Sequence, residues 1–156
     1  DGMLIPALSG GWGIGRFAAI GDLGGQIPFD GNKEGAMLFY HLSLQAALHQ
    51  YFIPLLELSG YHWTDGGDGT RKVDTKLGTL TVSQAQSALG LGSFEGADVV
   101  SLGTGGVEGN DLVTLSAGAR IPIGYGVTFG AAYEFPLTRR EDIFHQRVTM
   151  TLTFEL

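Results

Sequence analysis

Arg120, Glu134 and Arg147 are the residues whose types and spacing most invite a chemical reading. They fall in three successive runs in which apolar and polar residues alternate, and all three occupy the polar phase. On neighbouring antiparallel strands a shared phase means a shared face, where opposite charges attract across the ladder. Glu134 is therefore expected within ion-pair reach of one of the two arginines. Glu155, His41 and Gln45 sit in the polar phases of their own runs and extend the candidate polar lining.

Other groupings carry less. His41, Ser43 and Glu57 have the residue types of a hydrolase triad, but nothing in the local sequence marks Ser43 as a nucleophile. No catalytic residue is assigned, and the chain reads as not an enzyme. The four histidines, His41, His49, His62 and His145, include no closely spaced pair. His41 and His49 would lie about 26 Å apart on one strand at about 3.3 Å per residue, too far for one ion. There is no cysteine, so neither a disulfide framework nor a thiolate metal site is available. The glycine-rich GGWGIG, residues 10–15, lacks the helix a phosphate loop needs and reads as a turn between strands, with Trp12 packing there. In DGGDG, residues 65–69, Asp65 and Asp68 offer hard oxygen ligands but too few for a calcium loop. No metal and no cofactor is expected.

The elements that position these residues announce themselves by a period of two. The chain closes on RVTMTLTFEL, in which Val148, Met150, Leu152, Phe154 and Leu156 alternate with Thr149, Thr151, Thr153 and Glu155. In LFYHLSLQAALHQ, Leu38, Tyr40, Leu42, Leu44, Ala46 and Leu48 oppose Phe39, His41, Ser43, Gln45, Ala47 and His49. Phe17, Ala19, Leu23, Ile27 and Phe29 oppose Arg16, Asp22 and Gln26; Val113, Leu115, Ala117, Ala119 and Ile121 oppose Thr114, Ser116, Gly118 and Arg120. Val127, Phe129, Ala131, Tyr133, Phe135 and Leu137 oppose Thr128, Gly130, Ala132 and Glu134. YFIPLLELSGYHW is less regular, with Glu57 and Ser59 against Leu56 and Leu58. Residues 121–126 and 47–52 read as tight turns, residues 29–35 and 137–144 as longer charged connections. Residues 65–109 form one long loop rich in Gly, Ser, Thr and Asp, within which 76–84 and 97–103 are candidates for a hairpin.

At 156 residues the chain is a single domain, 1–156, or part of a larger one. Its 26 glycines far exceed the usual share of about 7%, and 16% charged residues fall short of about 25%. The formal charge of −7, with Arg139-Arg140 followed at once by Glu141 and Asp142, argues against nucleic acid as a partner. No run reaches the roughly 18 apolar residues of a membrane-spanning helix.

What the apolar phase touches decides the architecture. In a soluble sandwich it would face a core; in a transmembrane barrel it would face lipid while the polar phase lines the interior. Three features favour lipid. The runs suit the roughly 9–11 residues of a tilted spanning strand better than the soluble mode of about 5–6. The polar phase is filled by Gly, Ala, Ser and Thr with single charges rather than by many Lys and Glu. Aromatics gather toward run ends, at Trp12, Tyr51, Phe52, Trp63, Tyr125, Phe135, Phe144 and Phe154. The expected fold is all-β: an antiparallel up-and-down transmembrane β-barrel with about 7–8 strands in this chain.

RVTMTLTFEL resembles the C-terminal strand of Gram-negative outer-membrane β-barrels, with apolar residues at the last, third-last, fifth-last and seventh-last positions. Most members end on an aromatic, whereas this chain ends on Leu156 with Phe154 two before it. The final third of the chain is similar, in pattern, to the last strands of porin-like transporters. The resemblance implies a cell outer membrane location, outer-membrane lipid and the barrel assembly machinery as partners, and passive transport of small solutes. Charges such as Arg120, Glu134 and Arg147 would then bias which ions pass. A non-transporting anchor or adhesion barrel and a soluble all-β binding domain are the alternatives, with an outer-membrane hydrolase behind them. With a periplasmic C-terminus, strands at 144–156, 125–137, 110–122, 51–64, 36–48, 16–28 and 3–11 put the 65–109 loop outside. Seven is an odd count, so further N-terminal strands are expected, or one strand more for an eight-stranded barrel.

Overall fold

A computed structural model describes residues 2–31, 34–66, 72–75, 78–81, 84, 108–109, 111–138 and 145–155. All ten elements named here are strands: β1 Met3–Leu4, β2 Ala7–Ile14, β3 Phe17–Pro28, β4 Ala36–Ala46, β5 Ile53–Asp65, β6 Lys72–Thr75, β7 Gly78–Thr81, β8 Asp111–Gly124, β9 Val127–Pro136 and β10 Arg147–Phe154. Eight form one antiparallel up-and-down sheet in the order β1-β3-β4-β5-β8-β9-β10, with β2 also on β3. The sheet is not closed into a barrel. Its order runs from β1, which with β2 pairs β3, to β10 on β9, so among the described residues the closure expected from the alternation is absent.

The period-two runs become the long strands, and two departures have local causes. The run expected at 3–11 is split, because Pro6 has no N–H to give the ladder. Its carbonyl is still used, accepting from Gly25 N at 3.0 Å. Within the long 65–109 segment, Gly78–Thr81 pairs with Lys72–Thr75; the other candidate partner, 97–103, lies outside the described residues.

The chain divides into two compact units. The first comprises Asp1–Ala7, Gly24–Phe39 and Tyr61–Asp111. Here Met3 and Leu4 face Pro28 and Ile27 in register, and Trp63 is buried at 3% exposure, with its carbonyl taken by Gly109 N at 2.8 Å. Trp63 thus leaves the set of exposed end-of-run aromatics. Gln26 and Glu34 are buried in the same unit.

The second unit comprises Leu8–Leu23, Tyr40–Gly60 and Leu112–Leu156. β8 and β9 pair from Thr114↔Pro136 to Gly124↔Val127, with the register shifting between Pro122 and Gly124. Three successive positive φ angles turn the chain there, 105° at Gly124, 53° at Tyr125 and 72° at Gly126. Tyr125 is a side chain in the left-handed region, where glycine usually sits. β9 and β10 then pair without interruption from Glu134↔Arg147 to Val127↔Phe154.

Burial is inverted relative to a globular sheet. Trp63 and Leu112 are the buried large apolar residues among those described, whereas Gln26, Glu34, Thr114, Ser116 and Glu134 are buried polar ones. Leu38, Leu42 and Leu44 of β4 are exposed, as are Val148, Met150, Leu152 and Phe154 of β10; Leu156 lies outside the described residues. The alternation is imperfect on β3, where Ile20, in the polar phase, is also exposed. Edge strands β2 and β10 are exposed along their whole length.

Glycine has a direct role where rings sit on it. A Cβ at Gly60 of β5 would overlap the Tyr40 ring of β4, and one at Gly24 of β3 would overlap the Phe39 ring. Such contacts mark strands that approach closely across a glycine. Gly60→Ala is expected to cost about 1–3 kcal/mol through overpacking. In urea unfolding its effect should be strongly non-additive with that of Tyr40→Ala; additive effects would show that the ring does not rest on Gly60.

Candidate functional site

The polar phase of the second unit gathers into a row of cross-strand contacts. Glu134 of β9 stands directly opposite Arg147 of β10 and Ser116 of β8. Arg147 donates from Nε to Glu134 Oε2 at 2.8 Å, and its Nη2 lies 2.5 Å from the same oxygen. The shared phase of Arg120, Glu134 and Arg147 thus resolves into one pair. The register explains the choice: Arg120 faces Gly130, four residues from Glu134, or about 13 Å along a strand at ~3.3 Å per residue.

Arg120 instead donates to Gln45 Oε1 at 3.4 Å. Gln45 is on β4 while Arg120 is on β8, and β5 lies between them in the sheet, so the long guanidinium stem spans a strand. On β5, Glu57 accepts from Ser43 Oγ of β4 at 3.3 Å. His41 pairs through Nδ1 with Asp22 Oδ2 of β3 at 3.3 Å. The Ser43 hydroxyl is therefore spent on Glu57 and the His41 ring on Asp22. A Ser–His–carboxylate relay needs the imidazole between the other two, which is a different arrangement.

A cavity of about 280 Å³ opens on this polar row. Glu57, Ser116, Arg120, Glu134, Arg147 and Thr151 line it. Its walls owe their width to the small residues of β9, Gly130 to Ala132. His41 lines a separate recess with Ser9 and Asp22. Glu155 is exposed beyond the end of β10, its N–H bonded to Gly126 O at 2.7 Å, and is not among the cavity's lining residues. No group of three or more His, Cys, Asp or Glu able to hold a metal ion is present among the described residues.

Sequence reasoning brought Arg120, Glu134, Arg147, His41 and Gln45 forward but gave Asp22 and Ser116 no role and took Glu57 only as a triad member. Glu57 carried a usable signal, since it and Ser59 lie in the polar phase of their run. Nothing local marks Ser116 as a wall of the cavity, because that depends on which strand lies beside β8.

The Glu134–Arg147 pair is asymmetric: the side chains are 11% and 63% exposed. Losing the arginine leaves a buried carboxylate without its cation, whereas losing the carboxylate leaves a cation that water already reaches. Arg147→Gln is therefore expected to cost about 1–3 kcal/mol of unfolding free energy, and Glu134→Gln distinctly less. Equal costs in denaturant titrations would show that the pair is no more than a solvated contact. No protein-family model, no curated protein and no solved structure matches this chain.

Proposed function

We propose that this chain is a membrane β-sheet of the outer-membrane barrel type, its apolar phase against lipid and its polar phase lining a passive passage for small solutes. The observation that carries this reading is the inverted burial: Leu42, Leu44, Met150 and Leu152 are exposed while Thr114, Ser116 and Glu134 are buried. In water such a surface is unfavourable, since apolar area costs about 25 cal/mol per Å² exposed. In a bilayer the same surface is at home, and charged groups belong on the other face. The strand lengths agree, with β3, β4, β5, β8 and β9 at 10 to 14 residues, against about 9–11 for a tilted crossing. Exposed Trp12, Tyr51, Phe52 and Phe154 fit the aromatic girdles of such sheets. The assembly machinery as partner and the outer-membrane location belong to this same proposal.

The two tryptophans give a direct test. Trp12 is 64% exposed and Trp63 is 3% exposed. In vesicles with brominated acyl chains, the Trp63→Phe chain should lose most of its Trp12 fluorescence, while the Trp12→Phe chain keeps that of Trp63. A chain that stays dispersed without detergent, with Trp12 unquenched, would overturn the reading.

A further inference from the structure

Among the described residues, two charges in the cavity of the second unit have no charged partner. Arg120 donates to the neutral Gln45 at 3.4 Å, and Glu57 accepts from the neutral Ser43 at 3.3 Å. Both line the same cavity, yet among the described residues no ion pair joins them to each other or to any other charge. The remaining charges of the wall, Glu134 and Arg147, neutralise one another. The cavity therefore presents one available cation and one available anion, on the neighbouring strands β8 and β5.

We propose that this cavity is a subsite for a small zwitterion carrying one anionic oxyacid group and one primary ammonium, such as a free amino acid. The anionic group is bound by the guanidinium of Arg120, whose fork accepts a planar carboxylate through two parallel hydrogen bonds. The ammonium is bound by Glu57, with the hydroxyl of Ser116 on the neighbouring β8 as a further polar group of the wall. A volume of about 280 Å³ is at the lower end for ligand sites and admits a small solute with some water. A simple anion would satisfy Arg120 and leave Glu57 facing it as a repelling charge; a simple cation would meet the converse. Only a molecule with both charges uses both ends. The occupant is a free solute rather than a lipid headgroup, because the wall is mainly charged, hydroxyl and small residues, with Leu55 its one large apolar side chain. This assignment rests on the reading of the polar phase as a passage.

The test is calorimetric titration of the full chain, refolded in an uncharged alkyl glycoside, with alanine, propionate, ethylamine and glycerophosphoethanolamine. Alanine should bind saturably, with propionate and ethylamine each weaker by about tenfold or more, the loss of one charge-assisted contact. Arg120→Gln and Glu57→Gln should each weaken alanine by a similar factor, with ethylamine then the better of the two singly charged ligands for Arg120→Gln and propionate for Glu57→Gln. The ligand series needs no substitution, so it decides the matter even if a variant fails to fold. Propionate binding as well as alanine, or no saturation by any ligand, would overturn the proposal. Tighter binding of glycerophosphoethanolamine would assign the site to a headgroup and overturn the free-solute form. Trp12 quenching on the same preparation separates the two levels. Quenched Trp12 without alanine binding removes only this inference, whereas alanine binding with unquenched Trp12 keeps the subsite and removes the membrane passage.

Discussion

In a hydrogen-bonded ladder successive side chains leave on opposite faces, so each residue choice along a strand is also a choice of environment. This chain fills the two phases so differently that the sheet has one apolar and one polar side for most of its length. The polar side is the one that becomes buried, at Thr114, Ser116 and Glu134. Everything else described depends on that inversion: which side holds the charges and which side holds the cavity.

Once polar groups are enclosed, each must find a partner or carry a desolvation cost. Arg147 meets this requirement for Glu134, and less enclosed cross-strand contacts accompany it: His41 with Asp22, Ser43 with Glu57 and Arg120 with Gln45. They differ in kind. The first is a true ion pair on a deeply placed carboxylate, whereas the Ser43 and Gln45 contacts join a charge to a neutral group. That difference leaves part of the wall electrostatically spent and part of it still able to act on a visitor.

Much of the fold was legible in the sequence because period-two alternation is a local property. The runs at 36–48, 51–64, 110–122 and 125–137 emerged as strands with their ends moved by only a few residues. Two things were not local. Pro6 broke a run whose hydrophobic pattern was continuous, since pattern does not register a missing donor. Trp63 stands at a run end among the girdle-like aromatics, yet it is buried, and its backbone carbonyl accepts from the distant Gly109. The site was legible in the same measure. Glu134 and Arg147 share a phase on strands joined by one connection, so their meeting could be anticipated. Gln45 and Arg120 are 75 residues apart, and their contact depends on a long side chain passing a whole strand.

The ring-on-glycine contacts of β4 bear on how the strands become aligned. Phe39 and Tyr40 are consecutive, so they leave β4 on opposite faces, one over Gly24 of β3 and the other over Gly60 of β5. A shift of either neighbour by one residue would bring a different residue under the ring. Alignment by burial of apolar groups fails in a medium as oily as the side chains themselves. A shape fit does not: it rejects a misaligned neighbour equally well in water, in a micelle or in a bilayer. The register of these strands is thus held by a fit that does not depend on what surrounds the sheet.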